Sequence, residues 1–277
     1  MAIQLVKYQA LGNDYLVLDV PGPLEEVLAA LPRICDRHLG LGSDGLLAFD
    51  AGQLSVRIFN PDGSEAQKSG NGLRIAAAHA MLEHGAPAAF VLETMGGVAN
   101  PVRVLAARGP EVVAELDLGE PSFRPADLPA LAPGAEAGAV TLSTAEGEVR
   151  AALVSVGNPH CVVFGEPVTP ERCRRLGPLL ETHAAFPERV NVQLVQVLGD
   201  DRARIEIWER GAGYTLASGT SAAAVAAALM REGMVGARVT VAMPGGELLV
   251  ERRGRSLFQR GPARRVYRAR LEVSDLG

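Results

Sequence analysis

Residues 68–80 read KSGNGLRIAAAHA, and residues 218–230 read SGTSAAAVAAALM. Each places a serine and a glycine directly ahead of a run of alanines and aliphatics. The two serines, Ser69 and Ser218, lie 149 positions apart. Other features recur around them in the same order at nearly the same spacing. Gly12-Asn13 in LGNDYLVLD (11–19) corresponds to Gly157-Asn158 in VGNPHCVVF (156–164). VRIFN, ending at Asn60, corresponds to RIEIWE, ending at Glu209, and Met95-Gly96-Gly97 to Met243-Pro244-Gly245-Gly246. Matched features in one order at nearly one offset predict two structurally equivalent halves from an internal duplication.

Both halves follow one grammar. A β-rich opening (IQLVKYQ and YLVLDV; AALVSV and CVVFGE) leads to an alternating strand (LSVRIFN; ARIEIWE). A glycine-bearing turn and one apolar helix follow, predicted over 72–83 and 221–231, and then further strands. A helix such as AAAVAAALM has no polar stripe, so it belongs inside a core. The predicted class is α+β: two pseudo-symmetric domains, each a mostly antiparallel sheet wrapped around a central apolar helix. The first half is read as 1–118 and the second as 119–262. The Pro-, Gly- and Ala-rich join falls at 119–139.

Composition narrows the function. The chain of 277 residues is 48% hydrophobic and 21% charged, a globular balance long enough for two domains. A net charge of −5 argues against a nucleic-acid partner. The one basic segment, 251–270, alternates with period two and reads as an arginine-decorated strand face. No apolar run reaches membrane-spanning length, so no membrane partner is expected. Cys35, Cys161 and Cys173 lack metal-ligand spacing, and an odd count with no signal segment predicts a reducing, cytoplasmic setting.

A helix start carries unpaired backbone N–H groups and about half a positive charge, and glycines let a ligand approach. Such a turn suits a carboxylate or a phosphate. For one turn alone, simple N-capping by serine is the favoured explanation. Two equivalent turns aimed at one cleft would match the demands of inverting a stereocentre: one group removes a proton from one face, the other returns a proton to the opposite face. A phosphate-binding module is the weaker alternative. Lys68 and Arg74 flank the first turn, but nothing comparable flanks the second beyond Arg210.

The chain resembles the diaminopimelate epimerases through LGNDYLVLD, RHLGLGSDGLL, FNPDGSEAQKSGNGLR, VGNPHCVVF, RVNVQLVQV, WERGAGYTLASGTSAAA and GPARRVY. The resemblance implies a two-domain epimerase without pyridoxal phosphate, other cofactor or metal, interconverting LL- and meso-diaminopimelate on the route to lysine and cell-wall precursors. It also implies a homodimer, and a C-terminal strand, 263–277, returning to the first domain. Position by position, it places Asn13, Asn60, Asn158, Asn191 and Arg210 on the distal amino-acid end of the substrate. Gly70-Asn71 and Gly219-Thr220 fall on the reacting α-carboxylate. Glu209 and His160 fall beside the reacting ammonium and the catalytic pair. Ser69 and Ser218 stand where the family carries two cysteines, and Ser221 where it usually carries glycine. An aliphatic hydroxyl is far less acidic than a thiol and needs activation. The expected function is therefore amino-acid epimerisation through Ser69 and Ser218. The alternative is a catalytically silent or repurposed amino-acid binder, or another isomerase on the same fold.

Overall fold

The structure is a computed structural model describing residues 2–66, 69–132 and 138–272. Lys68, part of the 119–139 join and the end of the 263–277 strand lie outside the described residues. The chain divides into two compact units, Met1–Leu116 with Arg260–Gly277, and Asp117–Gln259.

In unit 1 the order is β1 (Ala2–Ala10), β2 (Asn13–Val20), α1 (Leu24–Ala29), α2 (Leu31–Cys35), β3 (Leu46–Asp50), β4 (Ser55–Phe59), β5 (Glu65–Ala66), α3 (Gly70–His84), β6 (Ala89–Thr94), β7 (Val98–Arg108) and β8 (Glu111–Asp117). Unit 2 continues with β9 (Val140–Thr144), β10 (Gly147–Ser155), β11 (Pro159–Phe164), α4 (Pro170–Glu181), β12 (Asn191–Gly199), β13 (Arg202–Glu209), β14 (Gly213–Thr215), α5 (Gly219–Arg231), β15 (Arg238–Met243) and β16 (Gly246–Arg253). The long β17 (Ser256–Glu272) then pairs antiparallel with β1, Ile3 opposite Leu271 and Leu5 opposite Ala269.

The two units repeat one pairing scheme. β1–β2 and β10–β11 are antiparallel. β2–β3 and β11–β12 are parallel. β3–β4 and β12–β13 are antiparallel, as are the short additions β4–β5 and β13–β14. β4–β6 and β13–β15 are parallel, and the β6–β7 and β15–β16 hairpins close the series. Each sheet is thus mostly antiparallel with two parallel joins.

α3 packs against β1, β2, β3 and β4, and α5 against β10, β11, β12, β15 and β16. Every residue from Gly70 to Ala80 is buried, as is every one from Ser221 to Met230. Alanine-rich faces let the strands close in around both helices. The opposite sheet faces are covered as well. Leu5, Leu16, Leu18, Leu46 and Phe59 pack with Val27, Leu31 and Ile34 of α1 and α2. Leu153, Val163, Val192 and Leu194 pack with Cys173, Leu176 and Leu180 of α4. Strands buried on both faces read as near-continuous apolar runs, as in YLVLDV and HCVVF.

Both central helices begin two residues earlier than the pattern predicted, at Gly70 and Gly219. Ser69 and Ser218 are the N-caps, which puts the glycines inside the first turn and not in a turn ahead of it. The arginines of 251–270 lie on β16, β17 and their connection, paired with acids: Arg255 with Glu120, Arg260 with Glu115, and Arg265 and Arg268 with Glu83.

Candidate active site

The two caps have nearly the same backbone: φ −139°, ψ 117° at Ser69 and φ −144°, ψ 125° at Ser218. Ser69 Oγ accepts from Gly72 N at 3.0 Å, and Ser218 Oγ accepts from Ser221 N at 3.3 Å. The first intrahelical bonds run from Leu73 N to Ser69 O (2.8 Å) and from Ala222 N to Ser218 O (3.1 Å). Gly70-Asn71 and Gly219-Thr220 therefore occupy the first turn, where N–H groups precede the helical ladder. A Cβ at Gly72 would lie 3.2 Å from Ser69 Cβ, so glycine there leaves room for the capping side chain. Ser218 Oγ also lies 3.4 Å from Thr220 Oγ1. Among the described residues of its own unit, neither serine hydroxyl is hydrogen-bonded to a histidine or a carboxylate.

In unit 1 the tip of α3 is backed by charge. Asn71 Nδ2 donates to Asn13 Oδ1 at 3.1 Å, and Asn13 Nδ2 donates to Asp44 Oδ2 at 2.8 Å. The guanidinium of Arg74, fully buried one turn into the helix, donates to Asn71 Oδ1. Burial lowers the Arg74 guanidinium to about 9. Arg37 bridges Asp14 and Asp44, and Lys7 pairs with Asp14. Burial works to raise the Asp14 carboxyl, but hydrogen bonds from Arg37 and Lys7 prevail and bring it to about 2. The loop carrying Asp44 is fixed by Gly45, whose φ is 158° and where a Cβ would meet Phe59 O at 2.2 Å.

In unit 2 the tip of α5 is backed by neutral groups. His160, on β11, is fully buried, and its Nε2 lies 3.0 Å from Asn158 Oδ1. Burial, only partly offset by Gln193, takes the imidazole down to about 3, with the Arg210 charge pressing the same way. The ring is therefore uncharged at neutral pH. Gln193, also fully buried, donates through Nε2 to Ser221 Oγ at 2.9 Å. Its Oε1 and His160 Nδ1 have no hydrogen-bond partner as the amide is drawn. Asn191 Nδ2 donates to Pro159 O at 2.9 Å, and Asn191 Oδ1 accepts from Arg210 N at 3.0 Å. Arg210 Nη1 donates to Glu188 O at 3.1 Å. Glu209 Oε2 accepts from Thr215 Oγ1 at 3.2 Å, and Gln259 Nε2 holds Gly219 O at 2.7 Å.

Within unit 1 the structure thus joins Asn13 with Asn71. Within unit 2 it joins Asn158 with His160, and Asn191 with Arg210. Asn60 is exposed and makes the contacts of a turn residue: its Nδ2 donates to Ser64 Oγ at 2.9 Å, and its carbonyl accepts from Gly63 N at 2.9 Å. The sequence marked Arg74 beside the first turn but gave no sign of Asp44, Arg37 or Gln193 as its counterparts behind the two tips. That arginine in an apolar helix was the one local signal of a charged group there. Ser221 stood out as unusual, and its partner Gln193 did not.

The family model for diaminopimelate epimerase matches residues 5–121 and again 152–266, so each match contains one serine-capped helix. The chain is 40% identical to diaminopimelate epimerase 2 of Nostoc sp. over 258 residues, 90% of this chain and 88% of that one. It is 38% identical to the diaminopimelate epimerase of Pelotomaculum thermopropionicum over 275 residues, 96% of this chain and 97% of that one. Its fold is similar to that of a hydroxyproline epimerase from Agrobacterium vitis, with a TM-score of 0.66, and to that of a protein described as a probable proline racemase from Agrobacterium radiobacter, with a TM-score of 0.67, each at 19% identity. These superpositions cover 98% of this chain and 92% or 93% of the other. With the family model matching most of its length, the chain belongs to the diaminopimelate epimerase family.

Proposed function

We propose that this protein is a cofactor-independent amino-acid epimerase acting at the α-carbon of LL- and meso-diaminopimelate, with Ser69 and Ser218 on opposite faces of that carbon. It is an isomerase by family. The observation that carries the proposal is the pair of matching serine-capped helix starts, one in each stretch matched by the family model. N–H groups of Gly70-Asn71 and Gly219-Thr220 would hold the reacting carboxylate, and their dipoles would stabilise charge developing as the α-proton leaves. Asn13, Asn60, Asn158, Asn191 and Arg210 would grip the distal end, with Glu209 near the reacting ammonium. His160, uncharged, would orient Asn158 and not supply a proton. A cytoplasmic homodimer and an ancestral duplication of the repeated scheme belong to the same reading.

The experiment is incubation with LL-diaminopimelate in deuterated water, following α-deuterium incorporation and meso product. Ser69→Ala and Ser218→Ala should each lower conversion about 10²–10⁴-fold, the range for a positioned proton-transfer group. Unchanged exchange in either variant would remove that serine from the reaction. One observation favours a second reading: among the described residues of its own unit, neither hydroxyl is hydrogen-bonded to a base that would activate it. Tight substrate binding with no α-exchange in the unaltered protein would establish an amino-acid binder on this fold.

A further inference from the structure

At the far end of α3, about 22 Å along the axis from Ser69 at 1.5 Å per residue, three side chains converge. His79 Nε2 and His84 Nε2 each lie 2.9 Å from Asp19 Oδ1. The three candidate ligand atoms all fall within 4.8 Å of one another. We infer that Asp19, His79 and His84 form a binding site for one divalent transition ion of the zinc type, which clamps the end of β2 to the last turn of α3. Nothing in the inference depends on the epimerase reading.

The donor chemistry fits. Two imidazoles and a carboxylate are borderline ligands that suit zinc, and three protein ligands leave a fourth position for water. Bond lengths of about 2.0–2.2 Å to nitrogen and oxygen require each histidine–aspartate pair to open slightly from 2.9 Å, and the two imidazole nitrogens, within 4.8 Å of each other, to settle at a similar spacing. Access is graded: the His79 side chain is 0% exposed, His84 29% and Asp19 50%, so an ion would enter from the Asp19 side. Phe49 stacks on His84, its ring tilted by 26°, and meets His79 at 77°, while Tyr8 meets His79 at 81°. These rings limit how the imidazoles can turn.

The surroundings favour a cation. The helix C-terminus carries partial negative charge, and α3 ends at Gly85 in the left-handed conformation, with φ 64°. Asp19 adds a carboxylate there. His79 is the second indication. It is the one imidazole within the otherwise apolar and small-residue stretch Ile75–Ala80, and its Nδ1 is buried with no hydrogen-bond partner. Coordination through Nε2 moves the proton to Nδ1, where an N–H suits an aromatic surround better than a lone pair does.

The test uses full-length, untagged protein freed of metal by chelation and titrated with Co²⁺ alone, then Zn²⁺ alone. One Co²⁺ per chain should give visible d–d bands and paramagnetic shifts on the His79 and His84 ring protons. Zn²⁺ should bleach the bands and raise the melting temperature. His84→Ala and Asp19→Asn, at partly exposed positions, should weaken uptake by about tenfold or more, with far-ultraviolet circular dichroism confirming that each is folded. Absence of bands in the unaltered protein overturns the site. So does equal uptake in either folded variant. If both variants fail to fold, the ring-proton shifts of the unaltered protein decide: shifts confined to other residues overturn it.

Discussion

The tips of α3 and α5 share a backbone and differ in what stands behind them. Cap dihedrals agree to within a few degrees, and each serine oxygen accepts from the amide three residues on. Behind Ser69, however, lies a charged lattice of Arg74, Asn71, Asn13, Asp44, Arg37, Asp14 and Lys7. Behind Ser218 lies a neutral one of Ser221, Gln193, His160 and Asn158. The two units therefore share the backbone geometry of the capped helix start and differ in the electrostatics around it.

The largest expected effect concerns acid stability. His160 is fully buried and titrates at about 3 in the fold against 6.5 outside it. Between those values the unfolded chain binds a proton that the folded chain refuses, so stability is complete above pH 6.5 and declines as pH falls toward 3. The span corresponds to a loss on the order of a few kcal/mol. Asp14, also depressed, contributes stability present above its ordinary 3.8 and lost as pH falls toward 2. The neutral lattice should thus weaken at a higher pH than the charged one. Urea unfolding at pH 7 and pH 5 checks this: the unaltered protein should lose markedly more stability than His160→Gln across the interval. Parallel losses would mean that His160 does not carry the acid limb.

That contrast was only half legible in the sequence. The spacing of Ser69 and Ser218, the flanking strands and the apolar helices were readable because each follows from periodicity or from a glycine at a turn. The helix starts were misplaced by two residues because glycine signals a turn more strongly than it signals a first helical turn, and capping geometry decides between them. The outer helices α1, α2 and α4 escaped notice. α1 and α2 are short, and α4 carries Pro178 within it. The backing lattices were invisible for a different reason. Asp44 reaches Asn13 across 31 positions and Gln193 reaches Ser221 across 28, and no local pattern encodes such pairs. Asn60-Pro61-Asp62-Gly63, by contrast, folds as the local turn that its composition allows, with Asn60 exposed.

A smaller effect isolates the electrostatic difference directly. Ser69→Cys and Ser218→Cys place a thiol at each tip in turn. The native thiols should not interfere, since burial raises Cys35 to about 11 and Cys161 and Cys173 to about 12. Both new thiols should fall below the free value of about 8.5 because they sit at helix N-termini. The thiol from Ser69→Cys should ionise lower by about one unit, worth roughly 1.4 kcal/mol, because the buried guanidinium of Arg74 lies one turn away. Ultraviolet thiolate absorbance against pH reads both values. Adding Arg74→Met to Ser69→Cys should erase the gap, and equal values with Arg74 intact would make the two lattices electrostatically equivalent.

The smallest effect tests what the tips share. Each serine satisfies one otherwise unpaired amide, Gly72 N or Ser221 N. Alanine at either position should therefore cost about 1 kcal/mol of stability, and glycine only a few tenths. Equal costs at Ser69 and Ser218 are expected, because capping depends on the backbone they have in common and not on the charges behind it. Chemical denaturation at neutral pH measures the difference. A Ser218→Ala cost well above the Ser69→Ala cost would show that the Ser218 hydroxyl, which also lies beside Thr220, helps hold the neutral lattice together, and the two caps would then differ in structure as well as in surroundings.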